Sequence, residues 1–273
     1  MKNRPASMAA YLLQRIYLLL LFVFLATPML IILVFSFDRN RFPSIPWGGF
    51  SLAWHQAIWT DSLVVDALWN SVLIAIGTAI ISTALGFVAA YVDYRYRFRG
   101  QGLFVGLIAM PPAVPASILG MAMLAFLSRI GYSGRIDTII ACHVALATSF
   151  SMAIIRLRLG EIGSELEQAA WNLGASRFRA IVSVVVPFCR QSLIASFFLA
   201  AAISFDEFMI AWFVGGVHET ISVRILNLLQ GQVNPKINAI GTVVLLVSVV
   251  LVVVAQRFTR LHPPSRQLYQ VRL

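Results

Sequence analysis

Apolar residues in this chain fall in long, nearly unbroken runs rather than at the spacing of a half-buried strand or a single helix face. A helix needs about 20 mostly apolar residues to cross a bilayer, and six stretches reach that length, at roughly 16–37, 70–92, 103–127, 138–155, 192–214 and 239–255. The last is almost pure valine and leucine. It is too long for an ordinary strand, and a lone strand in lipid would leave its backbone unpaired. The pattern predicts an all-α membrane protein with six transmembrane helices. The first run is longer than the apolar core of a secretory signal, about 7–15 residues. Asp38, Arg39 and Asn40 follow it instead of small residues, so it reads as a retained span.

Composition narrows the class. Of 273 residues, 59% are hydrophobic and 12% charged, against about 45–50% and about 25% in soluble domains. So few polar residues cannot cover a soluble surface, which excludes a soluble globular enzyme, a disordered chain and a disulfide scaffold. Cys142 and Cys189 both lie in apolar surroundings. The net charge of +10 reads as topology rather than nucleic-acid binding. With the spans above, 15 of the 21 Lys and Arg residues fall on the side of the N-terminus, and the positive-inside bias then places both termini in the cytoplasm. The expected organisation is a cytoplasmic tail over 1–15, a six-span domain over 16–255 with a cytoplasmic loop at 156–190, and a cytoplasmic tail over 256–273. On the other side, residues 38–69 carry Trp47, Trp54, Trp59 and Trp69, suited to the headgroup level.

The cytoplasmic loop holds the clearest local signal. Ser164 followed by Glu167 is a capping box, and Leu166, Ala169, Ala170 and Leu173 share one helical face. Gly174 stands where a left-handed cap belongs, and Ser176 can cap a second helix from Arg177. A short helix with small residues on its apolar face suits docking into a groove of another protein better than lying on lipid.

Here the sequence resembles a known family. Gln168-Ala169-Ala170, then Gly174, then Pro187 thirteen residues later is similar to the Glu-Ala-Ala loop of bacterial ABC-importer permease subunits. The family's glutamate falls at Gln168, with Glu167 before it. Either Glu167 takes that part or it only closes the capping box. Tyr94-Arg95-Tyr96-Arg97-Phe98-Arg99-Gly100, Ser204-Phe205-Asp206-Glu207-Phe208 and Asn234-Pro235-Lys236-Ile237-Asn238-Ala239 resemble the spermidine/putrescine-type branch. The resemblance implies a type I ABC importer permease fold and a place in the bacterial inner membrane. It implies a second, different permease subunit, two ATP-binding subunits on the Glu-Ala-Ala loops, and an external substrate-binding protein. It also implies transport of polyamines or a related small solute by alternating access, with Glu167, Gln168, Ala169, Ala170, Leu173, Gly174 and Pro187 coupling the chain to the ATPase. The chain itself is expected to be non-catalytic and to bind no cofactor. Neither Lys2 nor Lys236 has the glycine-rich context of a phosphate loop, so ATP-Mg belongs on the partner ATPase.

Residues inside the membrane supply the remaining candidates. Asp206 and Glu207 interrupt the fifth span, and an acid at a helix centre costs about 2.5–3.5 kcal/mol on insertion scales. They are expected to face a cavity, the bundle interior or a partner, either drawing in a cationic substrate or forming a satisfied structural pair. Phe205 and Trp212 flank them as further candidates for the substrate path. Pro111, Pro112 and Pro115 mark a gate or path-lining bend, or else a helix that begins only after them. His143, beside Cys142, has no partner at metal-ligand spacing and reads first as a packed, hydrogen-bonded histidine. No metal site is expected. The rival from another class is a self-sufficient proton-coupled carrier with Asp206, Glu207 and His143 as its relay, which leaves the loop unexplained. A membrane-embedded hydrolase would need a converging nucleophile and base, which the sequence does not offer.

Overall fold

The structure, a computed structural model, describes residues 8–40, 45–231 and 236–259, apart from the side chains of Ala9 and Ser164. The stretch Asn234-Pro235 and the tail from Arg260 lie outside these residues. Two compact units divide the chain, one of residues 1–61 with 227–245, the other of 62–226 with 246–273.

In the smaller unit, helix α1 (Met8–Phe35) begins inside the expected tail and contains Pro28. It is exposed along almost its whole length, as a helix apolar on every face beyond Arg15 would be if it met lipid or a partner. Beyond it, Asp38 is buried, and its Oδ1 accepts the backbone N–H groups of Asn40 and Gly48 at 3.1 and 3.0 Å. The Trp54 indole donates to the Asp38 carbonyl at 3.1 Å, and the Phe37 ring stacks on Phe50 and His55. These contacts seat the short helix α2 (Ala53–Trp59). Trp47 and Trp59 stay largely exposed. Lys236, at the start of a later helix, pairs with Asp61 at 3.0 Å.

The larger unit is built on α3 (Ser62–Arg95), an unbroken helix of 34 residues. Its buried positions include Ala67, Ser71, Ala75, Thr78, Ser82, Gly86 and Ala89, a stripe of small residues three or four apart. Such stripes let backbones approach within a membrane, where apolar burial alone does not drive helices together. At Gly86 an added Cβ would stand 2.6 Å from Ser151 Cβ and 2.8 Å from the Met152 nitrogen. Both belong to α6 (Ile136–Leu159).

The expected third span is a broken helix. α4 (Gln101–Ala109) leads into a tight 3₁₀ turn at Pro111–Ala113, and α5 (Ala116–Arg129) follows. The prolines remove donors, yet the chain is helical on both sides of them. Asp93 ties the segments together at one end: Gln101 donates to it at 2.8 Å and Arg156 of α6 pairs with it at 2.6 Å.

The loop after α6 holds α7 (Ser164–Asn172) and α8 (Arg177–Ala180), then a π turn at Ile181–Val185 that runs directly into α9 (Val186–Asp206). The fifth span therefore starts well before Ser192 and ends at Asp206 instead of continuing to Val214. After a break at Glu207 the chain resumes as α10 (Met209–Val214), followed by α11 (Ile221–Gly231) and α12 (Lys236–Thr259). Among the described residues five helical segments are long and apolar enough to cross a membrane, and Ala116–Arg129 is a shorter apolar helix in the broken one.

Replacing Gly86 with valine should force α3 and α6 apart, at about 1–3 kcal/mol for overpacking. The thermal midpoint in mild detergent should fall. Gly106→Ala, where nothing lies within 4 Å of the added Cβ, should leave it in place.

Candidate functional site

The loop between α6 and α9 folds as its sequence predicts, with one correction. Gly163, extended at φ −74° and ψ 139°, is the N-cap, and Ser164 is already the first helical residue. Glu167 does not close a capping box. It is almost fully buried, and one carboxylate oxygen, Oε2, accepts the Tyr91 hydroxyl at 2.9 Å and lies 3.8 Å from Arg95 Nε. The Arg95 guanidinium also sits 4.9 Å above the Trp171 ring. Tyr91, Arg95, Trp171 and Arg177 line a cavity of about 240 Å³ beside these contacts.

The far end of α7 closes on a six-residue cap. The Ala175 N–H reaches the Ala170 carbonyl at 3.0 Å, and the Gly174 N–H reaches Trp171 at 2.9 Å. This pairing requires a left-handed residue, and Gly174 has φ +86°. Ser176 then caps α8, accepting from the Arg179 N–H at 3.3 Å. Pro187 lies in the first turn of α9, and the π turn just before it relieves the clash of its ring with a helical carbonyl. With Glu167 turned inward, Leu166, Gln168, Ala169, Leu173 and Gly174 are all exposed, while Ala170 is half-buried. Phe178 extends this apolar patch, of which Leu173 at 89% exposure is the most prominent member.

A second site forms where two helices break. Pro112, Pro115, Leu119, Leu146, Phe150, Ile203 and Glu207 line an open cleft of about 420 Å³. The structure thus joins the proline turn to Glu207. Glu207 is not a mid-helix residue: its backbone is extended at φ −71° and ψ 117°, and its Oε1 accepts the Ile210 N–H at 3.1 Å. It satisfies one of the orphan donors of α10, as a carboxylate at a helix start can. Asp206 is exposed and accepts the Ser248 hydroxyl of α12 at 2.6 Å. Trp212 is 44% exposed and Phe205 is buried.

His143 stands apart from that cleft. It is buried, with Nδ1 2.9 Å from Ser204 Oγ, and Ser204 in turn donates to Thr78 at 3.2 Å. Among the described residues no hydrogen bond joins His143 to Asp206 or Glu207, so the three do not form a relay. Nor does any group of three His, Cys, Asp or Glu among those residues stand ready to hold a metal.

Sequence reasoning missed Tyr91, Phe150 and Ser248, and quoted Arg95 without a role. Tyr91 and Arg95 are four apart at the end of α3, a spacing that puts both on one face. Ser248 is a lone hydroxyl in a run of valine and leucine. Both signals were available. Phe150 carries none beyond its apolarity.

A family model described as the binding-protein-dependent transport system inner membrane component matches residues 82–267. The spermidine/putrescine transport system permease protein PotC of Haemophilus influenzae is 28% identical over 254 residues, covering 93% of this chain and 98% of that protein. The putrescine transport system permease protein PotI of Escherichia coli is 32% identical over 254 residues, with 90% and 89% covered. The fold is similar to a chain of a bacterial ABC transporter involved in import of the acidic polysaccharide alginate, at TM-score 0.69 and 15% identity over 92% of this chain and 94% of that one. It is also similar to a chain of the MetNI methionine ABC transporter in an inward-facing conformation, at TM-score 0.60 and 16% identity over 75% and 97%.

A Cβ at Gly174 would cost about 1–2 kcal/mol in the left-handed region. In the Gly174→Ala variant the amides of Gly174 and Ala175 should exchange with deuterium about tenfold faster, because the cap opens more often. Exchange within α3 should be unchanged.

Proposed function

Since this chain belongs to the family of binding-protein-dependent transport system inner membrane components, we propose that it lines the path along which an ABC importer carries polyamines or a related small cationic solute. It is a multi-pass inner-membrane permease subunit and carries no catalysis of its own. Around it we place a second, different permease subunit, two ATPase subunits that hold ATP-Mg, and an external binding protein that delivers the ligand. Both termini face the cytoplasm, and so does the loop of α7 and α8.

One observation carries the substrate class. Glu207 and Asp206 sit at a helix break inside the apolar part of the chain, and Glu207 shares an open cleft with the proline turn. A polyamine is a flexible chain of ammonium groups. Carboxylates fixed at membrane depth would offset the cost of stripping water from those groups, and an aromatic face such as Trp212 adds cation–π attraction. Two of the relatives, by their names, transport putrescine or spermidine and putrescine. The exposed face of Leu166, Gln168, Ala169, Leu173 and Gly174 supports docking of the ATPase, because a patch of that kind calls for a protein cover. The break at Pro111–Pro115 is the segment best able to change shape as access alternates, since its backbone is already released from the helical ladder.

The test is reconstitution. The tagged chain, purified in mild detergent from its native host, should bring with it an ATPase and a second six-span permease. In proteoliposomes with the cognate binding protein, labelled spermidine should accumulate only when ATP is inside the ATPase compartment. Asp206→Asn should lower spermidine uptake about tenfold, on the scale of one charge-assisted contact of about 1.5 kcal/mol. A chain that purifies alone, and moves spermidine without ATP, would overturn the proposal.

A further inference from the structure

The loop helix α7 is joined through the backbone to α6 on one side and to α8 and α9 on the other. α3 is not adjacent to it in the chain, yet its buried Glu167 and its Trp171 are held by side chains of α3. Tyr91 and Arg95 are one helical turn apart on α3, and Glu167 and Trp171 are one turn apart on α7. The Tyr91 hydroxyl donates to Glu167 at 2.9 Å, Arg95 stands 3.8 Å from the same oxygen, and the Arg95 guanidinium covers Trp171 at 4.9 Å. We propose that these four side chains form a clasp that carries movement of α7 directly into α3. This rests on the reading above, in which an ATPase moves α7.

The chemistry of the contact argues for transmission over plain adhesion. A leucine at position 167 would hold a helix to an apolar surface more cheaply than a buried carboxylate, whose desolvation is rarely repaid by one pair. An apolar contact, however, slides. A carboxylate with 1% exposure, fastened through one hydrogen bond and one ion pair while its other oxygen has no hydrogen-bond partner, tolerates no slip, because separation would leave it charged and bare. The two helices therefore move as one body. The exposed face of α7, with Gln168, Ala169 and Leu173, lies on the other side and stays available to a partner. Gln168, at the family's glutamate position, thus faces outward, while Glu167 is a positioning residue.

From the clasp α3 leads without interruption to the far end of the unit. Thr78 accepts from Ser204, three residues before the break at Glu207, and Asn70 and Ser71 hold the Glu219 carbonyl and the Ile221 N–H at 3.0 and 2.8 Å. A displacement entering at Glu167 reaches both the break beside the cleft and the segment before α11.

The test uses the complete complex isolated through this chain, compared with and without ATP plus vanadate by hydrogen–deuterium exchange. In the wild type, trapping should change exchange both in α7 and at residues 62–75, by about fivefold or more at the most responsive amides. In Glu167→Ala and in Tyr91→Phe the α7 change should remain and the change at 62–75 should fall below about twofold. Glu167→Gln, which keeps an acceptor for Tyr91, should retain most of it. The double variant should be no worse than either single, because the two residues act through one contact. An unaltered response at 62–75 in Glu167→Ala, or a double variant with the summed effects of both singles, overturns the clasp. Loss of the ATPase from the variant complexes overturns it too, since that makes Glu167 a docking residue. If the wild-type complex holds no ATPase at all, the importer reading itself falls, a result separate from the others.

Discussion

Backbones that come very close together underlie the larger unit. In a membrane the hydrophobic effect does not favour one apolar helix contact over another, so packing distance must do the selecting. Along α3 the buried alanines, serines and threonines, with Gly86 against Ser151 and Met152, bring α6 within backbone contact. Once α3 and α6 are fixed, the other features have a frame. Ser204 of α9 meets His143 of α6 and Thr78 of α3, which sets the depth at which α9 ends. That depth, in turn, decides where Glu207 leaves the helix and meets the proline turn.

Two opposite uses of acidic residues follow. Glu167 is buried and held by Tyr91, so its charge serves geometry. Glu207 lines an open cleft with one oxygen satisfied by the Ile210 N–H, and Asp206 is exposed with Ser248 on it. Acids of the second kind keep part of their carboxylate surface accessible.

Much of this was legible in the sequence, for physical reasons. Spans are long apolar runs, so five of the six expected stretches coincide with helices long and apolar enough to cross and the third is a broken helix, while the loop helix, its Gly174 cap and the Ser176 cap of α8 follow from local chemistry that involves few distant partners. What could not be read depended on contacts far apart in the chain. The capping box at Ser164 and Glu167 fitted every local rule, yet Tyr91 and Arg95 compete for the same carboxylate and win. The apolar run of the fifth span passes through Asp206 and Glu207 because hydropathy averages over both. The helix stops there because Glu207 takes an extended backbone and caps the next helix. His143 reads from the sequence as a packed, hydrogen-bonded histidine, and its partner, Ser204, lies 61 residues away where no local pattern could name it.

The π turn before Pro187 has a consequence for the phase of α9. Such a turn inserts one residue into the helical ladder. Every side chain beyond it is rotated by about 100° relative to a regular helix through the same residues. A chain that lacked the extra residue would deliver the same amino acids at nearly the same height but on another face. Ser204 would no longer find His143, and Asp206 would no longer find Ser248. The face that α9 turns toward its neighbours is thus set by an angular offset written some twenty residues upstream, beside the loop that a partner protein would hold.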